Sequence, residues 1–316
     1  MQQSFKYPDS AEFAFTILDD TDDTTVANGC PIYDLLDRLD IRISKTVWAW
    51  DAPPEKRGPY FKGETLSSPE YLQWVGTLAD KGFEIAFHNA TMGSSERSDT
   101  IKALDFIERE LGKPVRLHCN HGQNRENLYW GRQRYSSMLI KLANAVHEKF
   151  SPGIAYEGND IDSPYYWADV AMERLSYLRS FTFNKLNCAK IPPGRPYIDT
   201  MKRNTPLLFN TADAPDVAAF NKLVTVDSIN QLRRQGGWAI ISTHFGKGFF
   251  NNGVINSQFK EAMEYLATQP GWYVPVTTLL DFIAARYDKY ELSRQHVFYM
   301  ECLHVIDRLK KRFNHI

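Results

Sequence analysis

The first candidate chemical group is a cluster of four aspartates, Asp19, Asp20, Asp22 and Asp23, which lie within five residues. They follow an apolar segment, residues 13–18, that is typical of a buried strand. A packed strand has no reason to end in charge, because burying an unpaired carboxylate is costly. The pattern therefore indicates that this strand end supplies oxygen ligands or a base, although an acidic turn before a helix would have the same composition.

Two further apolar segments end at residues that could take part in chemistry. Residues 83–87 are followed by His88, and residues 238–242 are followed closely by His244. In parallel (β/α) barrels, catalytic groups collect at the C-terminal ends of the strands. We therefore expect the aspartates and these two histidines to converge at one end of a barrel.

These residue types suggest a metal-assisted hydrolysis. Asp20 and His88 could share a divalent metal, because carboxylate oxygen and imidazole nitrogen are both normal ligands of catalytic zinc. Such a metal needs a third protein ligand. It would activate water and polarise a carbonyl oxygen, while Asp19 takes the proton from that water. His244 as an imidazolium could protonate the leaving nitrogen or oxygen, so the reaction class is a deacylation.

The overall composition excludes some classes of function. The chain has 316 residues, with 37 basic and 38 acidic side chains and a net charge of -1, so no basic surface for DNA or RNA is expected. Its four cysteines form no CxxC pair, which favours a reducing compartment. Residues 1–12 lack the apolar core of a signal peptide, and no segment has the pattern of a membrane span. These features predict a cytoplasmic protein.

Alternating strand and helix patterns predict the fold. Strands are expected at residues 13–18, 46–50, 83–87, 115–118, 153–156, 180–183, 238–242 and 272–274. Helices are expected at residues 31–39, 69–80, 100–111, 135–147, 167–178, 226–235, 257–267, 277–287 and 290–313. Five prolines in residues 191–215 predict a loop there.

About seven or eight strand–helix units in a chain of this length predict an α/β fold, a (β/α) barrel that could lack one strand, rather than an open dinucleotide-binding sheet. No GxGxxG follows any of the strands, which also counts against a dinucleotide enzyme. We expect residues 1–290 to form the barrel and residues 291–316 to add a C-terminal helical extension.

Four segments carry a resemblance to a known family. Phe15-Thr16-Ile17-Leu18-Asp19-Asp20 resembles the TFDD motif that opens the polysaccharide deacetylases, the NodB-homology group of carbohydrate esterase family 4. Residues 84–88 are similar to their HEIGxH strand, residues 239–244 to their late strand ending in an acid histidine, and residues 271–280 to their C-terminal strand and helix. The order and spacing of these motifs match over residues 13–285.

The resemblance implies an irregular (β/α) barrel of about seven strands that removes acetyl groups from amino sugars or sugar hydroxyls. It also implies a role for each matched residue. Asp19 would be the base, Asp20 and His88 would be ligands of a divalent metal such as zinc, and His244 would be the acid.

The sequence departs from the family at the second metal histidine. That residue normally follows the first histidine by four positions, where this chain has Met92, a poor zinc ligand. A rebuilt site could take its third ligand from His118 or His121, which follow the next strand, or from Asp22. We favour His121 slightly over His118, although either histidine could instead bond a loop carbonyl.

Two further features of the family are altered. The family's arginine is expected at Arg116 or is supplied by Arg125, although the flanking prolines are absent. The acid histidine is followed by Phe245 instead of Asp, so another group must orient His244. The candidate carboxylates are Asp160, Asp162 and Asp199.

Three aromatic residues are candidates for binding a sugar. Trp130, Tyr165 and Tyr166 could stack on sugar faces in a cleft, but packing in the core explains them equally well.

Together, the residues and the resemblance predict a metal-dependent carbohydrate deacetylase. Its expected partner is an acetylated sugar, in the form of a nucleotide sugar or a lipid-linked glycan precursor of a surface polysaccharide. One alternative is a barrel that has lost catalysis with Met92 and binds glycan or a partner. Another is a related hydrolase that cleaves a different amide or ester.

Overall fold

The computed structural model describes residues 6–56, 62–138, 140–141, 153–287 and 290–313. The strands are β1 (Phe13–Asp19), β2 (Ser44–Val47), β3 (Glu84–Phe87), β4 (Leu117–His118), β5 (Tyr177–Phe183), β6 (Ile198–Asp199), β7 (Leu207–Asp213), β8 (Trp238–Thr243), β9 (Phe250–Asn251), β10 (Val254–Ile255), β11 (Gly271–Trp272) and β12 (Glu291–Leu292). The helices are α1 (Val26–Arg38), α2 (Pro69–Asp80), α3 (Arg97–Leu111), α4 (Ala168–Arg174), α5 (Val217–Leu223), α6 (Val226–Gln235), α7 (Ser257–Ala267), α8 (Val276–Ala284) and α9 (Arg294–Phe313). Most of the helix predicted at residues 135–147 lies outside the described residues.

Seven parallel strands close into a barrel. They pair in the order β1, β2, β3, β4, β5, β7 and β8, and β8 returns to pair with β1. An eighth strand, β11, pairs in parallel with the first residues of β1. The predicted α/β barrel of about seven strands is therefore confirmed, as is its extra C-terminal helix.

The burial pattern explains why these segments form the barrel. Every residue of β1 and of β8 is buried, as expected for parallel strands that are covered on both faces. Helix α2 buries Tyr71, Trp74, Val75 and Leu78, which form one apolar stripe at helical spacing. The Ser68 side chain caps this helix and a proline occupies its first turn, as the sequence predicts.

Three sequence predictions were wrong. Residues 207–213 form the barrel strand β7, because the prolines of the predicted loop lie outside this run of seven. The helix predicted at residues 167–178 ends at Arg174, and the alternating aromatic residues that follow form the start of β5. Residues 153–156 form no strand.

Helix α9 packs against the barrel beside β5 and β7. The ring of His304 lies 4.6 Å from the Phe181 ring, measured between centroids, and Arg308 pairs with Asp213 at 2.9 Å. The division of the chain at residue 290 stays a prediction. Within the described residues, none of the helices is both long and apolar enough to cross a bilayer.

A buried ion pair connects β1 to β2. The side chains of Asp19 and Lys45 are both fully buried, and Lys45 Nζ lies 3.2 Å from Asp19 Oδ2. Tyr33 Oη donates a hydrogen bond to the same oxygen at 2.9 Å, and the Phe245 amide donates to Asp19 Oδ1 at 2.8 Å. Although burial lowers the pKa of Lys45, the Asp19 carboxylate raises it, and the net direction is upward. Asp19 thus joins β1, β2, α1 and the loop after β8.

We expect Asp19→Asn to lower the free energy of unfolding by about 3 kcal/mol, because it leaves a buried ammonium group without its counter-charge. Urea denaturation measures this change. Asp40→Asn is the matched control, since the Asp40 side chain is 93% exposed and its loss should cost under about 0.5 kcal/mol. Equal losses in the two variants would show that the buried pair contributes no stability.

Candidate functional site

The acidic turn, residues 19–23, is held between the ends of two neighbouring strands. The Asp20 amide donates to the Thr243 carbonyl of β8 at 2.8 Å, and the Thr21 amide donates to Thr46 Oγ1 of β2 at 3.0 Å. A Cβ at Gly246 would lie only 2.3 Å from the Asp23 carbonyl carbon, so the loop after β8 approaches the turn closely. These contacts direct Asp20 and Asp22 into the C-terminal end of the barrel.

Three histidines surround Asp22. Asp22 Oδ1 lies 3.3 Å from His88 Nε2 and 3.8 Å from His121 Nε2, and Asp22 Oδ2 lies 3.5 Å from His244 Nε2. Asp20 lies beside them, with Oδ1 4.0 Å from His88 Nδ1 and Oδ2 4.0 Å from His244 Nε2. The structure thus brings together four of the predicted site residues and the alternative ligand Asp22.

Several atoms of this cluster are buried without a hydrogen-bond partner. They are both ring nitrogens of His88, Oδ1 of Asp20 and Oδ1 of Asp22. Burial raises the pKa of Asp22, but the three histidines hold it well below its ordinary value, so the carboxylate is ionised. Buried polar atoms are normally paired, and unpaired ones at a cleft indicate a place for a ligand or ion.

Hydrogen bonds orient two of the histidines. His121 Nδ1 lies 2.7 Å from Asn124 Oδ1, and Asn124 Nδ2 donates to the carbonyls of Thr91 and Gly93 at 2.9 and 2.8 Å. His244 Nδ1 lies 2.7 Å from the Pro215 carbonyl, which can only accept. In both rings Nδ1 therefore carries the proton, and Nε2 points at the aspartates.

Arg179 of β5 is a site residue that the sequence analysis missed. Its Nη1 donates to Asp20 Oδ2 at 2.6 Å and also to Ser242 Oγ, and its Nη2 donates to the Asn120 carbonyl at 3.4 Å. Burial raises the pKa of Asp20, whereas Arg179 and two histidines lower it, and the net direction is downward. The available signal was an arginine next to an apolar strand, but the predicted strand began one residue later, at Ser180.

The expected placement of Asp19 differs from the structure. Successive side chains of a strand point to opposite faces, and the adjacent Asp19 and Asp20 have separate sets of partners here. Asp20 lines the cleft, while Asp19 is fully buried with Lys45 and Tyr33. The hydrogen-bond and ion-pair partners of Asp19 are the buried groups of Lys45, Tyr33 and Phe245, none of which belongs to the cluster.

Two other predicted residues also lie away from the cluster. Both ring nitrogens of His118 lie 3.0 Å from oxygens, those of Phe87 and Asn120, and burial lowers its pKa to about 3. Arg116 precedes β4 and forms a two-bond ion pair with Asp281 at 2.8 and 2.9 Å. Neither residue lines the cleft that contains the cluster, and of the two predicted histidines only His121 lies beside Asp22.

The carboxylates proposed to orient His244 lie elsewhere. Asp199 accepts from Ser136 Oγ at 2.7 Å and pairs with Lys202 at 3.2 Å. Asp160 and Asp162 lie in an exposed loop turn. A backbone carbonyl, that of Pro215, performs this role, and sequence patterns cannot identify a backbone partner.

The cluster lines an open cleft of about 460 Å³. Trp130 contributes to its wall, as predicted, but Tyr165 and Tyr166 lie outside it. Arg125 stacks over the Tyr165 ring at 4.4 Å, and the Tyr166 hydroxyl accepts from Asn204 Nδ2 at 3.1 Å. Of the three predicted sugar-binding aromatics, one therefore faces the cleft.

The donor set of the cluster fits a divalent ion in its chemistry. One carboxylate and two imidazoles, those of Asp22, His88 and His121, are a common ligand set for catalytic zinc. Donor atoms of a tetrahedral zinc site are roughly 3.4 Å apart, close to the separations around Asp22 Oδ1. In the part of the chain that the structure describes, however, no three His, Cys, Asp or Glu side chains are already arranged to hold a metal. Binding would therefore require these side chains to rearrange.

Sequence comparison finds no relatives, since no family model and no curated protein match the chain. Solved structures do match. A candidate polysaccharide deacetylase from Mycobacterium smegmatis has a TM-score of 0.53 at 11% identity, covering 92% of this chain and 97% of its own. A probable polysaccharide deacetylase from Pseudomonas aeruginosa PAO1 has a TM-score of 0.53 at 10% identity, covering 87% and 92%. PuuE allantoinase has a TM-score of 0.54 at 10% identity, covering 89% and 93%.

At these identities the likeness shows the fold alone. The chain has the (β/α) barrel fold of the polysaccharide deacetylases, and at this level the resemblance stated from the sequence motifs is confirmed.

Glu126 supports the site and gives it a pH-dependent stability. Its Oε1 accepts from Asn124 Nδ2 at 2.7 Å, its Oε2 accepts from the Ser95 amide at 3.1 Å, and burial raises its pKa to about 7. Between the unfolded pKa near 4.5 and the folded value, the folded state holds a proton that the unfolded state has lost. The Glu126 contribution to stability therefore falls as the pH rises through this window.

We expect Glu126→Gln to remove this dependence. When the pH is raised from 4.5 to 7.5, the unfolding free energy of the variant should increase by about 2–3 kcal/mol relative to that of the parent. Urea denaturation across this pH range measures the shift. Parallel curves for the two proteins would contradict the raised pKa of Glu126.

Proposed function

We propose that the protein is a metal-dependent hydrolase that removes an acetyl group from a sugar. The observation that carries this proposal is the position of Asp22 Oδ1, which lies 3.3 Å and 3.8 Å from the Nε2 atoms of His88 and His121. These donors lie in an open cleft together with a second carboxylate and a third histidine. This is the group set that metal-assisted deacylation needs.

In this proposal Asp22, His88 and His121 hold the divalent ion, with zinc as the expected metal. When bound, the ion would supply a Lewis acid for the acetyl carbonyl and would acidify a water molecule. Asp20, the ligand implied by the family motif, is a poorer candidate, because its Oδ2 is already bonded to Arg179. The unpartnered buried atoms of His88 and Asp22 support this assignment.

Asp20 and His244 take the two proton-transfer roles. Arg179 holds Asp20 ionised and in place, and its free Oδ1 can accept a proton from an attacking water. His244 keeps Nδ1–H on the Pro215 carbonyl, so its Nε2 can carry a proton to the leaving group. Asp19, the base implied by the resemblance, is not proposed for this role because it lies in the core.

The proposed substrate is an acetylated sugar that is part of a nucleotide sugar or a lipid-linked glycan, used in building a surface polysaccharide. Trp130 in the cleft wall offers an aromatic face for a sugar ring. The fold of the candidate deacetylases from M. smegmatis and P. aeruginosa is consistent with this substrate class.

Two alternatives each have an observation in their favour. A barrel that binds glycan or a partner without turnover is favoured by the lack, among the described residues, of a ready metal site. A hydrolase for a different amide is favoured by the structural similarity to PuuE allantoinase. Metal content after reconstitution separates the first alternative from the proposal, and a substrate panel with acetylated sugars and cyclic amides separates the second.

We expect Asp22→Asn to lose stoichiometric zinc and to lower kcat/KM on acetylated sugars by at least about 100-fold. Metal analysis and acetate release measure the two effects. Asp23→Asn, in the same turn, is the matched control and should keep both, because Asp23 does not line the cleft. An Asp22→Asn variant with unchanged zinc and activity would rule out this ligand assignment.

His244→Gln tests the acid separately from the metal site. We expect kcat to fall by about 10²- to 10⁴-fold while bound zinc stays stoichiometric, because His244 donates a proton and is not a proposed ligand. Steady-state kinetics and metal analysis on the same sample give both numbers. If zinc is lost together with activity, His244 is a ligand and the assignment of His121 must be revised.

A further inference from the structure

One wall of the cleft carries three arginines, Arg134, Arg179 and Arg308. Two of them are neutralised by aspartates. Arg179 pairs with Asp20 at 2.6 Å, and Arg308 pairs with Asp213 at 2.9 Å. Arg134 differs, because both its Nε and its Nη2 atoms are buried without a hydrogen-bond partner, whereas only Nε lacks one in Arg179 and Arg308.

Asp199 and Glu301 contact residues that follow Arg134 in the chain, and Asp213 lines the same cleft, but other groups already use all three. Asp199 pairs with Lys202 at 3.2 Å and accepts from Ser136 Oγ at 2.7 Å. Glu301 accepts the Ser137 amide at 3.0 Å. Asp213 is shared by Arg308 and Lys311. No carboxylate among the described residues is paired with Arg134.

The guanidinium of Arg134 is nevertheless held in a fixed orientation. It lies 3.6 Å from the centre of the Trp130 ring and 5.5 Å from that of Phe181. Burial and the neighbouring Arg179 and Arg308 lower the pKa of Arg134 to about 10, so it remains charged at neutral pH. A charged guanidinium with two buried and unpaired nitrogen atoms is costly to keep, and an anionic ligand would remove that cost.

We propose that Arg134 is a specificity-determining residue that binds an anionic group of the substrate, a carboxylate or a phosphate, in the cleft beside the Asp22 cluster. A planar guanidinium presents two parallel donors that match either anion. Trp130 stacks on the guanidinium and orients it, and the unpaired charge of Arg134 attracts the anion while the acidic turn repels it. This inference deepens the proposed function, and it rests on that proposal only for the statement that the substrate is a sugar.

Binding of simple anions to the full chain tests the inference without any need for turnover. Isothermal titration calorimetry with inorganic phosphate and with glucuronate, at constant ionic strength set by chloride, should show saturable binding of at least one of them. Arg134→Gln should weaken that binding at least about tenfold, since it removes a charge-assisted pair of hydrogen bonds. The anion that binds more tightly identifies the group on the substrate.

Arg132→Gln is the matched control, because it removes the same charge two residues away from an exposed position outside the cleft lining. It should bind the anions like the parent protein. Arg134→Gln should keep the melting temperature of the parent or exceed it, because it removes an unpaired buried charge. Unchanged anion binding by Arg134→Gln, or no saturable binding of either anion to the parent, overturns the inference.

The same proteins separate this inference from the proposed function. If the parent releases acetate from neutral acetylated sugars but Arg134→Gln binds anions normally, only the anion site is wrong. If the parent releases no acetate from any sugar while Arg134→Gln loses anion binding, the anion site stands and the deacetylase proposal fails.

Discussion

The contacts of Asp19 at the end of β1 determine the geometry of the whole site. Its two carboxylate oxygens bind groups from three separate parts of the chain. These groups are Lys45 on β2, Tyr33 on α1 and the Phe245 amide after β8. Because these partners are all buried, the carboxylate cannot be replaced by water without leaving a charged lysine in the core. The strand end is therefore held firmly, and the next residue, Asp20, must point the other way into the cleft.

Sequence patterns were sufficient for the fold class and for part of the site. Apolar strands that end in polar residues correctly indicated that Asp20, His88 and His244 would meet at one end of a barrel. The period-2 geometry of a strand already contained the information that Asp19 and Asp20 face opposite sides, but the family motif assigns both to one site. Strand β7 was not predicted, because the prolines on both sides of it indicated a loop.

Other parts of the site depend on distance in space alone and could not be predicted. Arg179 comes from β5, nearly 160 residues after its partner Asp20, and no local pattern links them. The Pro215 carbonyl orients His244, and any residue type could supply that group. The unpaired state of Arg134 could not be predicted either, because it depends on nearby carboxylates, such as Asp199, being paired with other residues.

The loop that carries Met92 explains how a third histidine can be positioned without the family's own second histidine. The carbonyls on both sides of Met92, those of Thr91 and Gly93, accept hydrogen bonds from Asn124 Nδ2. Asn124 Oδ1 in turn binds His121 Nδ1 and leaves Nε2 directed at Asp22. The backbone on both sides of position 92 thus supports a ring from the next loop, which requires no particular side chain at position 92. A methionine at position 92 is compatible with this arrangement, because the loop contributes its carbonyls through Asn124.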